Sequence, residues 1–295
     1  THTMMAHIIN IDALNNVKII TWNLAGAGTI DTAYKIDKAI EEAEKLKVNV
    51  LVFQETKAKN KQWITLTLRK YGRQGWTAFE CINSGARRNG VAILINTGKT
   101  SGFTDIKEIY ADSNSDHSWN WEKDKKGNCG RVIAASFMQG NSKYVIGCFY
   151  GPSSGDIDEK VSFYKYYSKL LQQYNDDNLI LCGDWNTVED PERDVIRIGA
   201  KDAHWYNNHL PLPEFMEFLV NHLVVDSYIM HEIEKGELDD DEIRSHTFEH
   251  RNGTYWARLD RFYHSRLIDG RIELINLNKE RFSDHLPLGL EISKT

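Results

Sequence analysis

Short apolar stretches rich in β-branched residues recur from end to end of the chain, at residues 17–22, 48–53, 91–95, 132–137, 144–150, 179–182 and 286–292, each bounded by turn formers. This pattern predicts strands. Between the first two, Ile36, Ile40, Ala43 and Leu46 recur at helical spacing with charged residues between them, which predicts a helix. The same spacing predicts a second helix over 156–174, with Val161, Tyr164, Leu171 and Tyr174 on its inner face, and a third over 213–223, with Phe215, Phe218, Leu219 and Leu223 inward. Strand, helix, strand and then several strands in succession predicts an α/β fold of sheets covered by helices. A four-layer α-β-β-α sandwich, two packed and mainly antiparallel sheets with outer helices, meets that order best. The acidic, apolar-poor stretch 232–242 is expected to be an exposed loop. Asn252-Gly253, between residues of strand character, predicts a two-residue type I′ hairpin turn.

With 295 residues, 41% of them hydrophobic, and only 5 prolines, the chain can bury a sizeable core in one domain. That domain is expected over 5–295, with 1–4 read as tag residue. No run of about 18 apolar residues is present, so no membrane partner is expected. The amino terminus lacks a basic region followed by an apolar one, which points to an intracellular protein. Cys81, Cys129, Cys148 and Cys182 form no C-x-x-C pair and read as reduced, structural thiols. The net charge of −6, from 42 acidic and 36 basic residues, runs against a protein that holds nucleic acid through its overall field. A metal site concentrates carboxylates, however, and Lys57, Lys59, Lys61, Arg87 and Arg88 can still gather on one rim.

Polar residues stand at the ends of the predicted strands, where loops on a rigid sheet converge on a substrate. They are Asn23, Glu55, Tyr150 before Gly151-Pro152, and Asp184-Trp185-Asn186, followed later by Arg258-Leu259-Asp260 and Ser283-Asp284-His285. Residues two apart on an extended segment share a face, so Asp184 and Asn186 can enter a cleft while Trp185 turns into the core. Asp284 and His285 can serve one site if they lie on the loop before the last strand, and Pro287 marks such a break. These residue types suit phosphodiester hydrolysis. Glu55 is a hard oxygen ligand for Mg²⁺. His285 can donate to a phosphate oxygen while Asp260 holds its other ring nitrogen, and Asp184, held by Asn186, can orient or deprotonate water. The general base stays open between these groups. His246-x-x-x-His250 has only half the ligands of a zinc site, and Gly26-Ala27-Gly28 lacks the third glycine of a dinucleotide loop.

Asn, Glu, Tyr, Asp-x-Asn, Asp and Asp-His, in that order and each at a strand end, resemble the motif series of the exonuclease-endonuclease-phosphatase superfamily. Gly90-Val91-Ala92-Ile93-Leu94-Ile95, Gly130-Arg131-Val132-Ile133 and His246-Thr247-Phe248 support the resemblance, which spans 17–292. It implies a DNase I-like fold and hydrolysis dependent on Mg²⁺, with Mn²⁺ as a substitute. It implies Asn23, Tyr150, Asp184, Asn186, Asp260 and His285 as catalytic residues and Glu55 and Asp284 as metal ligands. Arg131, Thr247, Phe248, Arg251, Trp256 and Ser283 become the expected substrate contacts. One departure is Ala25, where some members carry an aspartate; it shifts metal ligation toward Glu55 and Asp284.

Within the superfamily the chain looks most similar to the endonuclease domains of LINE-type retrotransposons. Asp184-Trp185-Asn186 with Asp194, then Asp226, then His246-Thr247-Phe248 and Arg258-Leu259-Asp260-Arg261, and the closing Ser283-Asp284-His285-Leu286-Pro287-Leu288, carry that likeness. It implies a nuclear enzyme that nicks one strand of double-stranded DNA to leave a 3′-hydroxyl, as part of a polyprotein with reverse transcriptase. It also implies a hairpin tip, with Arg251, that reads the minor groove. The alternative is an apurinic-site repair endonuclease, in which Phe248 and Trp256 supply an apolar pocket for the sugar. A non-catalytic adaptor on the same scaffold is disfavoured because the polar positions are all filled.

Overall fold

The computed structural model describes residues 16–25, 29–58, 60, 62–82, 89–98, 102–111, 130–153, 156–197, 209–236, 246–249, 255–268, 271–275 and 283–293. In chain order its strands are β1 (Asn16–Asn23), β2 (Val50–Gln54), β3 (Trp76–Cys81), β4 (Val91–Asn96), β5 (Phe103–Ala111), β6 (Val132–Gln139), β7 (Ser142–Tyr150), β8 (Asn178–Asp184), β9 (Val195–Arg197), β10 (Val224–Asp226), β11 (Phe248–Glu249), β12 (Tyr255–Ala257), β13 (Asp260–Ser265), β14 (Arg271–Ile275) and β15 (Leu288–Ser293). The helices are α1 (Thr29–Lys45), α2 (Trp63–Lys70), α3 (Ile157–Leu171), α4 (Pro191–Asp194), α5 (Pro213–Asn221) and α6 (Ser227–Lys235).

One six-stranded sheet has the order β14-β15-β1-β2-β4-β3 and a second the order β10-β13-β8-β7-β6-β5, with a small third sheet β11-β12-β9. Each large sheet contains one parallel pair, β1 with β2 and β7 with β8, and is otherwise antiparallel. A parallel pair needs a crossover, and α1 and α3 supply the two.

Alternation along the strands builds the layers. Ile19, Val50, Val52 and Ile93 meet Ile133, Ala135, Ile146 and Cys182 between the sheets. The opposite face of the first sheet, with Ile20, Leu51 and Phe53, is covered by Ile36 and Ile40 of α1 and by Ile64 and Leu68 of α2. Phe149, Leu181 and Trp185 of the second sheet pack under Phe163, Tyr164 and Tyr167 of α3 and Phe215 and Phe218 of α5. The expected four-layer sandwich is what forms.

Several local expectations need correction. The buried face of α3 is Lys160, Phe163, Tyr164, Tyr167 and Leu171, an i, i+3, i+4, i+7 row that leaves Val161 and Tyr174 half-buried at its margin. Leu223 is exposed, because α5 stops at Asn221 and Leu223 follows with φ 50. Residues 232–235 continue α6, whose amino terminus is capped by Asp226 through Tyr228 and Ile229 N–H, so the expected loop is helix there, while 233–235 are exposed as expected. The last strand starts at Leu288, since Leu286 N–H is spent on Thr247 O and Pro287 has none.

Cys81, Cys148 and Cys182 are buried free thiols. Among the described residues no helix is long and apolar enough to cross a membrane. The first residues 1–4, Gly26-Ala27-Gly28, Lys59, Lys61, Arg87, Arg88, Cys129, residues 237–242, His250, Arg251 and the Asn252-Gly253 turn lie outside the described residues.

Candidate active site

The sheet register brings the polar motifs to one edge. Asn23 ends β1 beside Gln54, after which the chain delivers Glu55. Tyr150 and Asp184 are partners at the ends of the parallel strands β7 and β8, and Asp260, first residue of β13, pairs with Asp184 from the other side. His285 stands just before β15 and forms a single bridge to Phe248.

Asn23 links two of the site's carboxylates, Glu55 and Asp184. Its Nδ2 donates to Glu55 Oε1 at 3.1 Å and to Asp184 Oδ2 at 2.8 Å, while its Oδ1 accepts from Ala25 N–H at 2.8 Å. Glu55 Oε1 also accepts from Tyr150 OH at 3.0 Å, and its Oε2 lies 3.2 Å from Lys57 Nζ. Burial alone would raise the Glu55 carboxyl, but the Asn23 hydrogen bond and the charges of Lys57 and His285 hold it below the usual range. Burial, with Glu55 opposite, keeps the Tyr150 phenol well above its usual range and so protonated. A carboxylate kept ionised, steadied on one oxygen and facing a cation on the other, fits a hard divalent ion. Asp284 is half-buried on the neighbouring loop, where its Oδ1 lies 3.4 Å from Ser283 Oγ.

On the other side of Asn23, His285 Nδ1 stands 2.8 Å from Asp260 Oδ2 and its Nε2 stands 3.8 Å from Asp184 Oδ2. A carboxylate oxygen accepts, so Nδ1 carries a proton. Burial would lower the imidazole, but Asp260, with Asp184 and Asp284, raises it to about 10. Asp184 is pushed up to about 7, by burial and by Asp260, against the restraint of His285 and Asn23. The donor atoms of Asp184, Asp260 and His285 lie within 4.8 Å of one another, so this group also has the composition of a metal cluster. The ring of His285 packs on Phe248 at 4.9 Å, and Trp22 Nε1 donates to His285 O at 3.1 Å, which fixes the loop that carries it.

The turn after β8 is clamped from behind. Gly183 has φ +136, and a Cβ there would stand 2.0 Å from Phe149 O; a Cβ on Gly151 would stand 2.1 Å from Trp185 O. Both strand ends therefore approach as bare backbone. Trp185 is fully buried, stacked on Phe149 at 4.8 Å, while Asn186, at φ 48, stays beside Asp184 and donates its N–H to Asp184 Oδ1 at 3.0 Å. Asn186 Nδ2 donates to Gly151 O, and its Oδ1 lies 3.3 Å from His209 Nε2.

The other expected residues take different places around the site. Thr247 Oγ1 accepts from Asp260 N and Leu259 N, and Ser283 Oγ donates to Asn23 O, so both hydroxyls order the site's backbone. Arg131 Nη1 donates to Tyr150 O and Gly151 O, with the guanidinium 5.1 Å from the centre of the Tyr150 ring. Phe248 pairs with Ala257 and Glu249 with Trp256, so Phe248 and Trp256 face opposite sides of their ribbon. Asp194 and Asp226, part of the sequence pattern, form no part of the site: both pair with buried Arg258 and Arg261. The sequence reading missed Lys160, whose only signal was a lysine on the apolar face of a helix, and His209, which carries no motif at all.

Two solved structures are similar to the chain. One is the AP endonuclease LMAP from Leishmania major, 17% identical, with a TM-score of 0.70 over 95% of this chain and 89% of that one. The other is an AP endonuclease from Archaeoglobus fulgidus, 18% identical, with a TM-score of 0.64 over 93% of this chain and 98% of that one. At these identities the likeness is one of fold, and the fold is the DNase I-like sandwich. No curated protein matches the sequence. The sequence profile of the Endonuclease/Exonuclease/phosphatase family matches residues 20–285, a stretch that runs from before Asn23 to His285, and the chain belongs to that family.

Proposed function

We propose that the protein is a divalent-cation-dependent DNA endonuclease that hydrolyses one phosphodiester bond and leaves a 3′-hydroxyl. The observation that carries this reading is Asn23 Nδ2, which joins Glu55 and Asp184 into one array with His285 and Asp260. Glu55 and Asp284 would hold Mg²⁺ or Mn²⁺, which supplies positive charge against the phosphate. His285, cationic and aimed by Asp260, donates to a phosphate oxygen. Asp184, poised near neutrality, takes the proton from the water that attacks phosphorus, the P–O3′ bond breaks, and the departing 3′-oxygen takes a proton from solvent water to become the 3′-hydroxyl.

Cleavage at abasic sites is the substrate reading that the two similar structures support, since both are titled AP endonucleases and each is matched over most of its length. A second reading, nicking of intact duplex as in LINE-type elements, is favoured by Ala25 and by the opposed faces of Phe248 and Trp256, which do not form one aromatic pocket. A duplex with one tetrahydrofuran abasic analogue and its intact counterpart, each incubated with Mg²⁺, separates them. Cleavage confined to the analogue supports the first reading, equal nicking of both supports the second, and no cleavage of either removes both.

A further inference from the structure

We propose that Lys160 is a positioning residue of this site: its buried ammonium, through the Asn186 carbonyl, fixes the left-handed turn that aims Asp184. The inference rests on the endonuclease reading for its catalytic consequence, but not for its structural one.

Four consecutive carbonyls of the turn are each taken from behind. Asp184 O accepts from Gly151 N at 2.7 Å, Trp185 O from Tyr164 OH at 3.0 Å, Asn186 O from Lys160 Nζ at 2.9 Å and Thr187 O from Arg261 Nη1 at 2.6 Å. With the carbonyls turned away, Asn186 N–H is free to point at Asp184 Oδ1. Asn186 holds φ 48, the least favoured backbone of the four, and its carbonyl is the one served by an ammonium.

Space-filling does not account for a lysine here. Lys160 is only 3% exposed, and lysine is almost never buried without a partner. It also sits in the first turn of α3, four residues after the Asp156 cap, where the helix dipole opposes a cation. A methionine would fill the same volume without either penalty. The ammonium is matched instead to the Asn186 carbonyl and to the nearby charges of Asp184 and Glu159.

The test compares Lys160→Met, Lys160→Gln and Lys160→Arg with wild type, by hydrogen exchange of the 183–188 segment and by kcat and KM on the cleaved duplex. Loss of a hydrogen bond from a charged group should speed exchange in that segment about tenfold or more in the Met variant. A small misplacement of Asp184 should lower kcat about 10- to 100-fold with KM nearly unchanged. The Arg variant should recover much of both, and the Gln variant should fall between. If the Met variant does not fold, the shorter, neutral Gln variant decides. Exchange and kcat at wild-type values in a folded Gln or Met variant would overturn the proposal. If wild type itself cleaves nothing, the endonuclease reading falls, while the exchange data still judge Lys160.

Discussion

His285 and Asp260 are joined at 2.8 Å through Nδ1 and Oδ2, and the opposite nitrogen of the same ring stands 3.8 Å from Asp184. One carboxylate therefore fixes the ring's orientation and protonation, and the other shares its second face. Such an arrangement acts as a unit. His285→Ala and Asp260→Asn should each lower kcat by about 10² to 10⁴. The double variant should cost little more than the worse single one, and single-turnover rates of all three proteins check this. Multiplicative losses would show two independent groups.

The pH dependence follows from two shifted groups. In the proposed mechanism Asp184, raised to about 7, must be ionised to take a proton, and His285, raised to about 10, must be cationic to donate to the phosphate oxygen. The rate should rise through about pH 7 and fall through about pH 10, with the acid limb moving lower as a bound cation favours the carboxylate. Stability has its own profile. His285 is raised from 6.5, so its contribution is complete below that value and is lost as pH rises through about 10. Asp184 is raised from 3.8, so the fold disfavours its ionised form, and that penalty grows between that value and about 7. Thermal melting of wild type should accordingly show an alkaline decline between about pH 7 and 10 that His285→Ala lacks.

Glu55 carries the cation in this account, with Tyr150 and Asn23 holding one oxygen still. Glu55→Gln should raise the Mg²⁺ concentration needed for half-maximal rate at least about tenfold, the scale of losing a charged partner. Tyr150→Phe removes a donor and keeps the charge, so its effect on that concentration should be smaller. A magnesium titration of the rate measures both, and an unchanged midpoint in Glu55→Gln would place the cation elsewhere.

Gly183 is where the backbone itself limits the site. Gly183→Ala must displace Phe149 O from 2.0 Å and adopt φ +136, so it should cost about 3 kcal/mol or more and disturb Asp184. Urea unfolding measures the loss. A variant of wild-type stability would mean that the β7 and β8 ends separate easily.

The strands buried on both faces were legible because continuous apolar runs announce them: β4, β6, β7 and β8 lie where residues 91–95, 132–137, 144–150 and 179–182 place them. Strand β5 was not, since Thr104, Asp105, Ile106, Lys107 and Glu108 form a largely exposed edge with register shifts and no clean alternation. Helix α2 was hidden because Gln62, at its amino terminus, makes no capping bond; Glu80, distant in sequence, accepts from Ile64 N and Thr65 N instead. Helix α6 was hidden by its acidic composition. The order of motifs gave Asn23, Glu55, Tyr150, Asp184, Asp260 and His285, because each ends or borders a recognisable strand. Lys160 and His209 act from a helix and a loop through contacts that only tertiary structure creates.

The most direct test of the central claim is nicking of supercoiled plasmid, intact and depurinated, by the wild-type protein with Mg²⁺ and with a chelator, followed by polymerase extension of the product. The account predicts nicks only with Mg²⁺, in depurinated plasmid at least, that a polymerase extends without prior phosphatase treatment, and none from His285→Ala at the same protein concentration. Nicks that persist in the chelator, or that His285→Ala makes at the wild-type rate, would contradict it.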